Sequence, residues 1–191
     1  VNDVHQVQQL TMSWNMDGLV VSGFVEGDIR YLRERYKQPI AIVDDYDTND
    51  LGNCANIRIE DKKAEYELTK YILGCGHRKI AFLTDNLCNL DRQRYLGYCE
   101  AMKEAGIPEE EWQCIKIRNS NQEIMLNAQE IYEASFSYTA FVCASDYYAA
   151  IILNMLKDKG RRIPEDISIA GFDDVKTARL VRPALTTVRQ D

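Results

Sequence analysis

Five short apolar runs in this sequence end on the same kinds of side chain. Ser22 follows "GLVV", Asp44 and Asp45 follow "AIV", Asp85 follows "AFLT", Ser145 and Asp146 follow "FVCA", and Asp173 and Asp174 follow "IAGF". Ionised carboxylates in such places accept hydrogen bonds from hydroxyl groups, and an arginine adds a planar fork of donors. Acceptors and donors mixed in this way suit a polyhydroxylated small molecule. Each residue alone has a plainer reading, because Ser and Asp are preferred N-caps of helices that follow strands. Their accumulation at five exits is what points to a ligand.

Arg92 and Arg94 precede the apolar stripe that begins at Tyr95, in the expected first turn of a helix. A cation there is disfavoured by the helix macrodipole, by ~0.3 to 1 kcal/mol. A local pair with Asp91 would offset little of that. The alternative is that Arg94 turns toward a ligand, and both readings stand at this level. If Arg94 and Asp173 hold a ligand, replacing either with Ala is expected to weaken binding by more than ~1.5 kcal/mol, with little loss of folding.

Catalysis fits less well, and no enzyme is expected. A glycosidase needs two carboxylates flanking a bond, which the sequence neither shows nor excludes. There is no phosphate-binding G-x-x-x-x-G-K-[ST], no G-x-S-x-G and no H-E-x-x-H, and "GCGHRK" lacks the third glycine of a dinucleotide fingerprint. His77 falls in that turn between helix and strand, at the opposite edge from the exits, where a structural role is expected. The six cysteines form no C-x-x-C pair, and only His5 and His77 could complete a metal site with them. Core or loop packing in a reducing compartment is expected of them, with no metal and no cofactor.

The scaffold behind these residues can be read from hydropathy. "DGLVVSG", "PIAIVD", "NIRI", "KIAFLT", "CIKIR", "TAFVCA", "ISIAGF" and "LTTVRQ" have strand length and continuous apolar character, as parallel strands need when helices cover both sheet faces. Between them lie segments of helical period. Residues 61–75 place Ala64, Leu68, Tyr71, Ile72 and Cys75 on one face; Tyr95, Tyr98, Cys99 and Met102 form another; Ile124, Ala128, Ile131 and Tyr132 a third; and Tyr148, Ile152, Met155 and Leu156 a fourth. The pattern is α/β, with right-handed crossovers. Of the least apolar connections, 85–94 and 175–184, either could carry the chain between two lobes.

The chain has 191 residues, and its 23 Lys and Arg stand against 30 Asp and Glu, a formal net charge of −7. The surface should therefore be repelled by nucleic acid phosphates. No apolar run approaches membrane-spanning length, so no membrane contact is expected.

Taken in order, "DGLVVSG", "PIAIVD", "YILGCGHRKIAFLT", "RYLGYCEAMKEAGI", "TAFVCASDYYAA", "RRIPEDISIAGFDD" and "RPALTTVRQD" resemble the effector-binding core of the lac repressor and galactose repressor family of bacterial transcription regulators. The resemblance runs from about residue 16 to the end. It implies a type I periplasmic-binding-protein-like fold of two Rossmann-like lobes with parallel sheets, and an incomplete N-terminal lobe. Residues 1–84 would form that lobe, 85–188 the C-terminal lobe, and 189–191 the start of a return crossing. A sugar or related metabolite would bind between the lobes and change the operator affinity of an N-terminal helix-turn-helix.

By the same resemblance Arg94, the Arg of R-x-x-G, is the main effector-binding residue, and Asp173, the first Asp of G-F-D-D, receives effector hydroxyls. Asp174 would cap or pair locally. Ser145 stands where a contacting Asn is common, which shortens the reach of that contact. Ser22 and Asp44 match further ligand positions, and no aromatic residue lies near Asn119–Asn121 to stack on a sugar ring. The family pattern implies a cytoplasmic homodimer. It also includes a helix-turn-helix before residue 1 and further segments at both ends, so part of a regulator is expected, without operator binding of its own and with apolar strand edges that favour self-association. A transport-type sugar-binding protein of the same fold is the alternative. An α/β enzyme using the carboxylates with a divalent metal ranks behind both.

Overall fold

The apolar runs become the strands of two parallel sheets. The computed structural model describes residues 4–14, 16–23, 26–44, 54–87, 89–117 and 127–190. Its strands are β1 (Leu19–Ser22), β2 (Ile40–Val43), β3 (Cys54–Ile57), β4 (Ile80–Thr84), β5 (Gln113–Lys116), β6 (Ala140–Cys143), β7 (Ser168–Asp173) and β8 (Thr186–Arg189). The third lies two residues ahead of "NIRI", the run that suggested it. The helices are α1 (Val4–Ser13), α2 (Glu26–Arg35), α3 (Asp61–Gly74), α4 (Asn89–Glu104), α5 (Ala128–Ala134), α6 (Asp146–Asp158) and the short α7 (Lys176–Leu180). Of the third expected helical face, Ile124 lies outside the described residues.

The chain divides into two compact units, Val1–Ile59 and Glu60–Asp191. The expected boundary at residues 84 and 85 differs from this division for a packing reason. Helix α3 lies against α4, and β4 sits inside the sheet that β5, β6, β7 and β8 complete, so residues 60–84 share a core with the rest of the second unit. Segment 85–94 accordingly runs into α4, and 175–184 carries α7. Neither is the passage between the units.

In the first unit the order β1-β2-β3 is parallel throughout. Ile29, Leu32 and Tyr36 of α2 and its exit cover Val21, Ile40 and Ile42. Val20 on β1 and Ile57 on β3, the two edges of this sheet, are exposed. In the second unit the order is β5-β4-β6-β7-β8, again parallel. Strands β4 and β6 are buried along their whole length and alternate between two cores. Leu83, Phe141 and Cys143 meet α5 and α6 on one face, while Ile80, Phe82 and Val142 meet α3 and α4 on the other. Each fully buried side chain of this size contributes ~1.5 to 3 kcal/mol by leaving water.

Two glycines allow the closest approaches. A Cβ on Gly97 of α4 would stand 2.2 Å from the Lys62 carbonyl oxygen on α3, so only hydrogen fits where the helices cross. A Cβ on Gly171 of β7 would stand 2.3 Å from Asp146 Oδ1. Among the described residues no helix is long and apolar enough to cross a membrane.

Candidate functional site

Because the strands of the second unit all run the same way, their carboxyl ends share one edge of the sheet, where ligands of open α/β sheets bind. Arg94 is the centre of that edge. It is the sixth residue of α4, beyond the first turn, so the macrodipole objection is weaker than the sequence suggested. Its side chain is only 6% exposed. Nε donates to Asp61 Oδ1 at 2.8 Å, Nη1 donates to the Ala144 carbonyl at 2.5 Å, and Nη1 stands 3.3 Å from Asp173 Oδ1. The guanidinium lies over the Phe172 ring, 3.8 Å from its centroid. Residues of α3, β7 and the exit of β6 therefore fix the plane of the fork, and none of these contacts uses Nη2. Arg92 is exposed, and the Asp91 carboxylate accepts from Thr84 Oγ1 instead of pairing locally with either arginine.

The depth of this pair changes one expectation. Asp61 is fully buried, so Arg94→Ala would take the cation away from a buried carboxylate, at a cost of about 3 to 5 kcal/mol. Little loss of folding is no longer expected of that substitution.

Asp173 ends β7 with φ of 108° and keeps partial solvent access, its side chain 27% exposed. Gln190 Nε2 donates to its Oδ1 at 2.5 Å. Burial pushes its pKa up to about 6, against the pull of Arg94, with Asp146 adding to the rise. Asp174, at φ 50°, pairs with Arg179, whose Nη2 reaches Oδ2 at 2.6 Å. Asp44, Asp173 and Asp174 are the non-glycine residues with positive φ among those described, and all three are strand-exit aspartates. Non-glycine residues in such conformations cluster at ligand sites.

Ser145 is half-buried and caps α6, its Oγ accepting from the Tyr148 N–H at 3.4 Å. Asp146 is fully buried and ties the loops together: Oδ1 accepts from Thr187 Oγ1 at 2.6 Å and Oδ2 from the Val175 N–H at 2.9 Å. Asp85 is half-buried at the exit of β4. Ser22 is exposed and Asp44 half-buried, at the exits of β1 and β2 in the first unit. Asp45 and Asn119–Asn121 lie outside the described residues.

The structure thus brings Arg94 and Asp173 into contact and sets Ser145 beside the carbonyl that Arg94 binds, while Ser22 and Asp44 belong to the other unit. Sequence reasoning missed Asp61. A signal for it exists, since "RIED" leaves an apolar run on two carboxylates like the other exits, but the helical period from residue 61 masks it as the start of α3. His77 sits away from this edge, its Nδ1 2.9 Å from Thr139 Oγ1. Among the described residues no group of three His, Cys, Asp or Glu side chains is placed to hold a metal ion. What the arrangement offers is donors on Arg94 and acceptors on Asp173, oriented but not paired as nucleophile and base.

Comparison with known proteins supplies the family. Residues 69–191 match the family described as periplasmic binding protein-like domain. The chain is 29% identical to the uncharacterised HTH-type transcriptional regulator YvdE of Bacillus subtilis (strain 168), over 91% of this chain and 53% of that protein. It is 31% identical to the HTH-type transcriptional repressor PurR of Vibrio atlanticus (strain LGP32), over 92% of this chain and 53% of that protein. The chain thus spans about half the length of these relatives. Among solved structures, a LacI family transcriptional regulator from Enterococcus faecium with bound ribose superposes with a TM-score of 0.81, at 21% identity, covering all of this chain and 70% of that one. The family resemblance drawn from the ordered sequence blocks is borne out, as is the α/β fold of parallel sheets.

Proposed function

This chain belongs to the periplasmic binding protein-like domain family, and we propose on that footing that it is the small-molecule-sensing core of a bacterial transcription regulator. It acts by binding, not by catalysis. The observation that carries the reading is Arg94, a cation buried at the carboxyl edge of a parallel sheet and held by three neighbours with Nη2 outside those contacts. Such a group is pre-organised to donate to ligand oxygens, because its orientation is fixed before the ligand arrives.

In this reading Arg94 donates to ligand oxygens, Asp173 accepts from ligand hydroxyls, and the Ser145 hydroxyl adds a contact while capping α6. Ser22 and Asp44 are retained as further candidate ligand residues. The ligand is a sugar or related polyhydroxylated metabolite, consistent with the ribose held by the E. faecium relative. Ligand binding changes operator affinity through a DNA-binding segment of the whole protein, a homodimer in the cytoplasm. The relatives described as HTH-type regulators favour this over a transport-type sugar-binding protein. The residues proposed for the ligand would be the same in both.

The test is a thermal-shift screen against pentoses, hexoses, disaccharides, nucleosides and purines, followed by titration calorimetry with Asp173→Asn. A ligand at a hundredfold its dissociation constant adds ~2.7 kcal/mol to stability. One ligand class that stabilises the chain and binds Asp173→Asn at least tenfold more weakly is expected; undiminished binding by that variant would remove Asp173 from the site.

A further inference from the structure

Glu65 is an acidic residue with no solvent contact, on α3 one turn after Asp61. Its Oε1 accepts from Thr69 Oγ1 at 3.0 Å, while Oε2 has no hydrogen-bond partner. A buried carboxylate with a bare oxygen is strongly disfavoured. The charged and titratable groups around it offer little relief. Asp61 faces it from α3 and Asp91 from α4, both adding negative charge, and Cys143 lies near it on β6. Arg94 is the cation among these neighbours, and it is already bonded to Asp61. Space is short as well. At Gly97 the two helices touch so closely that an added Cβ would be 3.0 Å from Glu65 Cβ.

We propose that Glu65 is a proton-operated latch at the crossing of α3 and α4: the neutral acid lets the helices close on each other, and its ionisation loosens them and offers Arg94 a rival to Asp61. The setting of the arginine then follows pH, whatever ligand binds there. Burial is the largest influence on this carboxyl and pushes its pKa up to about 8, from an ordinary 4.5. The folded chain therefore keeps a proton that the unfolded chain gives up. The stability so conferred is full below pH 4.5 and is lost as pH rises through about 8. One retained proton makes the unfolding constant rise close to tenfold per pH unit, between roughly pH 5.5 and 7.5, and level off above the folded value.

The experiment is urea unfolding of the full chain from pH 5.5 to 9 in a Trp14→Phe background, so that Trp112 reports on the second unit. Glu65→Gln keeps the size of the side chain and removes the titration. Asp173 adds its own slope near pH 6, but to both proteins alike. The parent is expected to lose stability relative to Glu65→Gln by nearly tenfold per unit up to about pH 8, and parallel profiles would overturn the latch. Should Glu65→Gln fail to fold, carboxyl-carbon NMR of the glutamate-labelled parent decides. One glutamate titrating above pH 7 supports the proposal, and all of them titrating below pH 7 overturns it.

Discussion

Arg94 and Asp173 differ in what a substitution would reveal. Arg94 holds the site's structure as well as any ligand, so Arg94→Ala should lower stability by about 3 to 5 kcal/mol, measured by denaturant unfolding, before its effect on binding can be read. Asp173 sits half-exposed at the rim, so Asp173→Asn should fold normally and report on binding alone. The pH dependence separates its two states. Its folded pKa is raised to about 6, mainly by burial, so whatever stability it contributes is present below the ordinary carboxylate value and is lost as pH rises through 6. Binding runs the other way, because accepting hydroxyls requires the carboxylate. Affinity should therefore fall by up to tenfold per unit as pH drops below about 6, in calorimetric titrations, and Asp173→Asn should show no such dependence. Among single residues the sequence was informative where strands announce their ends. At Asp61 that announcement is masked by the helical period that starts there, and its partner, 33 positions away, is found only by folding.

Helices α3 and α4 are one device, joined at Gly97. Gly97→Ala should push them apart and destabilise the second unit by ~1 to 3 kcal/mol, the usual cost of overpacking, as calorimetry would show. Ser145 tests the difference between cap and contact. Ser145→Ala should cost ~1 kcal/mol through the lost N-cap of α6, whereas Ser145→Asp, itself a good cap, should restore that stability. A ligand role would appear as a change in affinity that the capping variant does not restore. The strands were legible because continuous apolar runs report burial on both faces. Helix α2 escaped notice because "EGDIRYLRER" is dominated by charge, and its core contacts rest on Ile29 and Leu32.

Two units of unequal size should not melt as one. The first has a single small core around Ile29, Leu32 and Ile42, while the second encloses a sheet between two cores. Small cores bury too little surface to be robust. Amides of β1 and β2 should therefore exchange with deuterium well before those of β4 and β6. The division between the two units is hard to see in the sequence for a plain reason: no glycine- or proline-rich joint marks it, and only three residues separate β3 from α3. The contact of α3 with α4 and the place of β4 inside the five-stranded sheet assign residues 60–84 to the second unit. The common direction of the five strands there has a consequence for inheritance. Every exit can mutate while the cores behind it stay as they are, so ligand preference can drift between descendants faster than the fold. Arg94 and the buried Asp146 are the exceptions, because losing either also unsettles the packing that every descendant needs.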